Sequence, residues 1–498
     1  MFFDDYSDNS YGKDHDDEYD VMRMIERNDP TLTELHGYLP PADGWEEFGR
    51  AIGKNTHLKE IAFLGFDNDG VDRDVIPSKD FLNFLLVFAL NRSIQKLIFA
   101  CWDLPDADWR ILIRFFNDNQ ASESLEVEDY DDGRSLSALA SALQRLHSLK
   151  EFRYCCGDSY VECDSVIEAL IGHSGLRKMS LLGVRIGRRG CAALGARLLN
   201  SRSNLSALNV QRVEMEDDGE IIFANGLSVN SSLKELALGR SEITELGWQA
   251  IFAALQRSSC RLEKLDVNGN SMNDDLSHSM SCALLRHNAT IKTLHLGNHM
   301  HEDDMRNANW SALFRPLQDN TSALEKLTLN SDSITNEGVD ALTNVLVNNI
   351  SSVLRNPSSA LEKLDLRANS INDHVMVSFA DAMANNSKLT ECIFHRDICH
   401  VTSIGYVAFT HILCNNSSIL STYHSNHTLG KLCYREEFPE DVTFLLKLNR
   451  ECTESQAARL KIIMAHFCGC EINMQPFTDM DLCVRPHACL DGQRWQFV

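Results

Sequence analysis

The sequence predicts an α/β solenoid, in which one short strand and one helix recur along the chain and the strands lie parallel in one sheet. Three observations predict it. The stretch Leu361-Glu-Lys-Leu364-Asp-Leu366-Arg-Ala-Asn369 recurs at Leu262-Glu-Lys-Leu265-Asp-Val267-Asn-Gly-Asn270, and in shorter form at Leu324-Glu-Lys-Leu327-Thr-Leu329 and Leu233-Lys-Glu-Leu236-Ala-Leu238. The copies fall at a near-constant spacing, most often 28–29 residues. Between them, apolar residues recur at helical intervals. Alternation at the apolar positions suits a strand, whose successive side chains point to opposite faces. A unit this small cannot bury its apolar side alone, so it stacks on its neighbours and the core grows lengthwise.

Taken in order, residues 1–20 hold eight carboxylates against one lysine and no apolar periodicity. With the residues up to 30 they read as a disordered acidic tail. The array is expected over residues 31–430, about thirteen repeats. It opens on a degenerate rung at Leu32-Thr-Glu-Leu35 and a helix over Trp45–Asn55. Further strands are expected from Leu58, Ile94, Ser122, Leu149, Leu176, Leu205, Leu233, Leu262, Ile291, Leu324, Leu361, Leu389 and Ile419. The period leaves room for a full helix in each repeat, as in Arg188–Leu198 and Asn336–Leu346, with Thr335 or Asn336 as N-cap of the latter. Asn230, Asn320 and Asn386 stand where helices should stop, and asparagine tolerates the left-handed conformation that ends many helices. Three repeats are long, with extra residues around Asp67–Ser78, His299–Asn309 and Asn349–Ser359. The first two insertions follow strands and should share one edge of the array; the third follows a helix and should emerge on the other.

The L-x-x-L-x-L-x-x-N pattern is the signature of a leucine-rich repeat. Its long period resembles the ribonuclease-inhibitor-like class of leucine-rich repeats, over about residues 32–430. That resemblance implies a horseshoe, with a parallel sheet on the concave face and helices on the convex face. Residues 431–498 read as a helical C-terminal cap, with helices at Glu440–Leu448 and Glu454–Phe467. The run Glu471–Leu482 together with Val484-Arg-Pro-His-Ala488 resembles the C-terminal segment of leucine-rich-repeat proteins abundant in diatoms.

The formal charge of −24 disfavours nucleic acid and anionic membranes and favours a basic protein partner. The sixteen cysteines are scattered without paired spacing, which suits reduced, buried thiols. Met1-Phe-Phe-Asp-Asp-Tyr is acidic, without the basic and apolar regions of a secretory signal, and no apolar run is long enough to span a bilayer. The cytosol, or the nucleus, is the expected compartment. The N-x-S/T triplets at helix ends then read as turn chemistry rather than glycosylation sites.

No cofactor, metal or catalytic residue is expected. Gly49-Arg-Ala-Ile-Gly53-Lys54-Asn55-Thr56 has one residue too few for a phosphate loop, and Asn55 stands where a hydroxyl would hold magnesium. Asp67-Asn-Asp69-Gly70 lacks the first and twelfth carboxylates of a calcium loop. His295, His299 and His301 with Glu302 and Asp303 need not converge. Cys468, Cys470, Cys483, His487 and Cys489 are spaced too loosely for structural zinc.

Binding is expected on the outward strand positions, the third, fifth and seventh of each rung. These are Glu126 and Glu128, with Asp129 beyond them, then Glu151, Arg153, Lys264, Asp266, Asn268, Lys326, Asp365 and Arg367. They make a mixed charged surface with an acidic focus near the N-terminal third. The leading reading is a non-enzymatic protein-binding scaffold or adaptor that uses this face and the inserted loops. The alternatives are a regulator of a small GTPase, since Ran GTPase-activating proteins share the repeat class, and a ligand-sensing fragment of an immune-type receptor. The sequence does not give the oligomeric state.

Overall fold

The structure is a computed structural model. It describes residues 15–38, 40, 44–64, 78–100, 111–112, 122–129, 136–157, 160–215, 218–241, 243–257, 259–270, 273–285, 290–297, 311–314, 323–329, 341, 361–367, 369, 371–384, 386–394, 402–433 and 439–467. They fall into two compact units, Met1–His295 and Leu296–Val498.

The first unit carries β1 (Glu34–His36), β2 (Glu60–Leu64), β3 (Lys96–Ala100), β4 (Ser124–Asp129), β5 (Glu151–Cys156), β6 (Val161–Glu162), β7 (Lys178–Leu182), β8 (Val184–Ile186), β9 (Ala207–Asn209), β10 (Glu214–Met215), β11 (Glu235–Ala237), β12 (Lys264–Asp266) and β13 (Thr293–His295). Ten of these run parallel in the order β1-β2-β3-β4-β5-β7-β9-β11-β12-β13. The other three form a small second sheet, β10-β8-β6, just before their helices.

Register explains why leucine recurs. Leu97 pairs with Leu125, Leu208 with Leu236, and Leu236 with Leu265, which pairs with Leu294. Each sits in a buried column between sheet and helices, and removing such a side chain from water contributes about 1.5–3 kcal/mol. The rungs at Ser122 and Leu149 depart from the consensus yet form the six-residue strands β4 and β5, because Leu125, Val127, Phe152 and Tyr154 keep the alternation.

Helix stacking is keyed by glycine. A Cβ on Gly226 would lie 2.7 Å from the Gly195 carbonyl oxygen and 2.8 Å from its Cα, so helices Arg188–Leu199 and Gly219–Val229 touch backbone to backbone. A carboxylate from one repeat also caps the helix of the next. Asp164 Oδ1 accepts from the Gly187 N–H at 2.8 Å, and Glu220 Oε1 from the Thr244 N–H at 2.8 Å. In the second unit Asp373 accepts from the Thr402 N–H at 2.7 Å and the Gly405 N–H at 3.2 Å. Each carboxylate stands at a positive helix end, satisfying N–H groups that no residue within the helix can reach.

The asparagines at the helix ends act differently from expectation. Asn55, Asn200 and Asn230 have φ of −69°, −73° and −70° with extended ψ, so none is left-handed. Their work is done by the side chain. Asn230 Oδ1 accepts from the N–H groups of Ser232 and Leu233, while its Nδ2 donates to the Leu198 carbonyl one repeat back. Asn91 and Asn426 repeat both halves of this arrangement. Asparagine suits the site because it both donates and accepts across one amide. The Asn320 stop and, apart from Ala341, the helix expected over 336–346 lie outside the described residues, as does nearly all of the three insertions.

The second unit carries β14 (Lys326–Thr328), β15 (Lys363–Asp365), β16 (Glu391–Phe394) and β17 (Lys431–Cys433), parallel and in that order. Two expectations are corrected here and at the N-terminus. No strand begins at Ile419: Ile419–Tyr423 is a short helix, with the Ser418 hydroxyl accepting from the Ser421 N–H, and the strand follows Leu429 instead. Asn426-His-Thr-Leu429 is the true turn into that rung. Within the supposed tail, His15–Glu26 is a helix, and Ile25 is buried with its carbonyl accepting from Asn55 Nδ2 at 3.3 Å.

Two helices, Glu440–Glu451 and Glu454–Phe467, follow β17. Lys461 of the second is fully buried; its Nζ donates to the Asn426 carbonyl at 2.8 Å and lies 3.2 Å from His427 Nδ1. Burial pulls the Lys461 ammonium down to about 7, against Cys414, which pulls it up. Burial, then Lys461, holds His427 down at about 4. Above pH 7 the folded state releases a proton that the unfolded lysine keeps until near 10.5, so stability rises with pH. Burial raises the Cys414 thiol above 9.0, which offsets that slope once unfolded thiols ionise. Melting of this unit is therefore expected to rise between pH 7 and 9, and Lys461→Met to flatten that rise. Parallel pH profiles for the two proteins would remove Lys461 from the account.

Candidate functional site

The outward residues of the first unit form two straight columns, because in-register parallel strands put equivalent positions side by side. One column runs Glu34, Glu60, Lys96, Ser124, Glu151, Lys178, Ala207, Glu235, Lys264, Thr293. The other runs His36, Ala62, Ile98, Glu126, Arg153, Ser180, Asn209, Ala237, Asp266, His295. Opposite charges on adjacent strands pair: Glu60 with Lys96 at 2.7 Å and Glu151 with Lys178 at 2.8 Å.

The expected acidic focus is brought together, but it is not free. Arg153 Nη1 lies 2.8 Å from Glu126 Oε1 and its Nη2 3.6 Å from Glu128 Oε1. Glu126 is only 8% exposed. Burial raises its pKa, and Arg153 and then Lys96 oppose that rise. Glu128 is half-buried, and burial together with Glu128 pushes the neighbouring Cys155 thiol up to about 11. Asp129 ends β4 opposite Cys156; its side chain lies outside the described residues.

Further along the same sheet, Asp266 Oδ1 accepts from the Asn268 N–H at 3.0 Å and its Oδ2 from Gln211 Nε2 at 3.1 Å. Burial raises the Asp266 pKa, against those bonds and Lys264. Between Arg153 and Asp266 the second column narrows to Ser180, Asn209 and Ala237, with Ala207 beside them. These small side chains leave a shallow depression, open at its mouth and rimmed by Lys178, Glu235, Lys264 and Asp266. Ser180 Oγ and Asn209 Oδ1 are buried and have no hydrogen-bond partner among the described residues. Sequence reading missed both. The available signal was three small residues at one rung position in consecutive repeats.

The turn after these strands is left-handed at Gly183, Arg212, Arg240 and Gly269, with φ of 67°, 52°, 53° and 70°. Arginine is costly there, so Arg212 and Arg240 hold strained backbone at the edge of the depression's strands.

In the second unit, Arg367 grips Asp365 in a fork, with Nε 3.0 and 3.1 Å from the two carboxylate oxygens and Nη2 at 2.9 Å. Lys326 stands beside Lys363, which pairs with Glu391 at 2.8 Å.

The glycines of the apparent phosphate loop are packing residues: Cβ atoms there would sit 2.9 Å from the Phe84 carbonyl oxygen at Gly49 and 2.6 Å from that of Val87 at Gly53. Among the described residues no cluster of three His, Cys, Asp or Glu could hold a metal ion. His299–Asp303 and Cys468–Cys489 lie outside them. Among the described residues no helix is long and apolar enough to cross a membrane.

Repeated strand–helix units, a leucine column in register and asparagine turns define a leucine-rich-repeat solenoid of the α/β class. No protein-family model matches the chain. It is 26% identical to mouse ribonuclease inhibitor over 266 residues, 53% of this chain and 52% of that protein. It is 24% identical to the pig ribonuclease inhibitor over 263 residues, 52% of this chain and 56% of the other. It is also 28% identical to mouse NACHT, LRR and PYD domains-containing protein 5 over 211 residues, 42% of this chain but 17% of that protein. The chain is thus a leucine-rich-repeat protein whose repeats are similar to those of the ribonuclease inhibitors, and it spans about half the length of the ribonuclease inhibitors it matches.

Proposed function

We propose that this chain is a non-enzymatic protein-binding scaffold whose first unit meets a basic partner on the outward face of its sheet. The observation that carries this is the pair of in-register columns: ten strands each present charged or polar groups at fixed spacing over a core that cannot shift. A rigid surface of this kind loses little conformational entropy on binding, which favours affinity. The net charge of −24 favours a basic protein over an acidic one. Mouse ribonuclease inhibitor, by its name, acts on another protein, a ribonuclease.

The test is cross-linking mass spectrometry on partners captured by the full chain. Cross-links should fall on Lys96, Lys178 and Lys264, and their confinement to lysines of the helical side would overturn the reading. Once a partner is in hand, Glu128, Glu151 and Glu235 reversed together to Lys should slow association on the order of tenfold or more at low salt. Melting should move little, because exposed ion pairs contribute only about 0.2–1 kcal/mol each. Glu126 is left out of that variant because it is buried against Arg153. Salt near 0.5 M, where the Debye length is about 4 Å, should weaken the wild-type complex in the same direction. Association indifferent to salt and reversal would move the site off this face.

A further inference from the structure

We infer that the depression between β7 and β12 is a socket for an arginine side chain of the partner. This rests on the sheet-face reading above and names the group recognised there. Two independent features point to it. Ser180 and Asn209 are 7% and 8% exposed, and Ser180 Oγ and Asn209 Oδ1 lack a hydrogen-bond partner among the described residues. Buried polar atoms are ordinarily paired, and an unpaired one costs free energy that a ligand can recover. Both lie on the outward column, lining the depression rather than the core.

The second feature is the sign of the charge left over at the rim. Lys178 is already engaged by Glu151 at 2.8 Å. Asp266 accepts hydrogen bonds from two neutral donors, the Asn268 N–H at 3.0 Å and Gln211 Nε2 at 3.1 Å. Glu235 has no ion-pair partner among the described residues and stands one strand from Lys264. The groups left open are therefore the Glu235 carboxylate, an amide oxygen and a hydroxyl, with the Asp266 carboxylate, already hydrogen-bonded and drawn by Lys264, beside them. That set asks for a cation with several donors.

A guanidinium supplies five N–H donors in a rigid plane, whereas an ammonium is a compact, strongly hydrated point charge. The apolar part of the floor includes Ala207 and Ala237, which suits a flat group better than a hydrated sphere. The aliphatic stem would lie along that floor with the head toward Asn209 and Asp266.

The probe is a set of immobilised random heptapeptide pools with the central residue fixed as Arg, Lys, citrulline, Tyr or Leu, offered to the full-length protein. The Arg pool should retain at least tenfold more protein than the citrulline pool, which keeps the shape and loses the charge. It should also retain more than the Lys pool. Asn209→Leu should bring Arg retention down to the citrulline level, and Asn209→Asp should keep or raise it. Circular dichroism melting of both variants shows whether they fold; Ser180→Ala is a second, milder variant that should lower Arg retention in part. Equal retention of Arg and Lys, preference for Tyr or Leu, or indifference to Asn209→Leu in a folded protein would each overturn the socket. The pools need no natural partner, so the two readings fail separately. Cross-links on the helical side would remove the scaffold reading and leave the pool result standing, and failure of the pools would leave the cross-links standing.

Discussion

Leu265→Asp unfolds the repeats around it. Leu265 is 1% exposed and stands in the leucine column between Leu236 and Leu294, paired to both strands. The change removes an apolar side chain worth about 1.5–3 kcal/mol and leaves a carboxylate with no partner, a fault that typically costs a further ~3–5 kcal/mol. In a repeat array the damage spreads through nearest-neighbour interfaces, so rungs on each side should lose protection together. Lys264→Ala, one residue away on the outward side, should stay within ~0.5 kcal/mol. Chemical denaturation and amide exchange of the two variants read this contrast. Equal stability of Leu265→Asp and wild type would refute the register of β12.

The strands were legible because their pattern is local. Alternation within six residues, as in Leu262–Val267, places Leu265 inward and Lys264 and Asp266 outward without knowledge of any neighbour. Features that join one repeat to the next were harder to read. Arg153 shares Glu126 and Glu128, residues 27 and 25 positions earlier, so an apparent cluster of free carboxylates is partly neutralised. Ser180, Asn209 and Ala237 are unremarkable alone and form a depression only when stacked. Asn426 and Ile419 show how a local rule misleads: the apolar run at Ile419-Leu420 looks like a rung, yet the asparagine turn decides where the strand begins. The helix at His15–Glu26 was hidden by the composition of the residues before it, although Ile25 buries its side chain against the array.

Gly247→Ala should destabilise the protein by about 2–3 kcal/mol, although alanine ordinarily stabilises a helix interior by about 0.5–1 kcal/mol over glycine. The reversal comes from the neighbouring repeat. A Cβ on Gly247 would lie 1.9 Å from Glu220 Oε2 and 2.6 Å from its Cδ. That carboxylate is the end of a flexible side chain, but it is buried and held by the Thr244 N–H at 2.8 Å and by the Thr244 hydroxyl. It cannot move aside without uncapping helix Glu245–Leu255. Glu220→Ala alone should cost about 1–2 kcal/mol, the usual worth of a cap. In that background the carboxylate is gone and only the Cβ of residue 220, 2.9 Å away, still crowds the new methyl, so Gly247→Ala should cost clearly less than in the parent. The coupling between the two sites in a double-mutant cycle should exceed ~1.5 kcal/mol, well above the additivity error of independent positions. Urea denaturation of the four proteins measures it. Gly247→Ala that stabilises the parent would show that the carboxylate does not occupy the space left by the glycine. The same exchange at Gly190, where Asp164 Oδ1 would stand 2.3 Å and Ile186 Cγ2 2.8 Å from the new Cβ, should also destabilise, with less relief from removing the carboxylate alone.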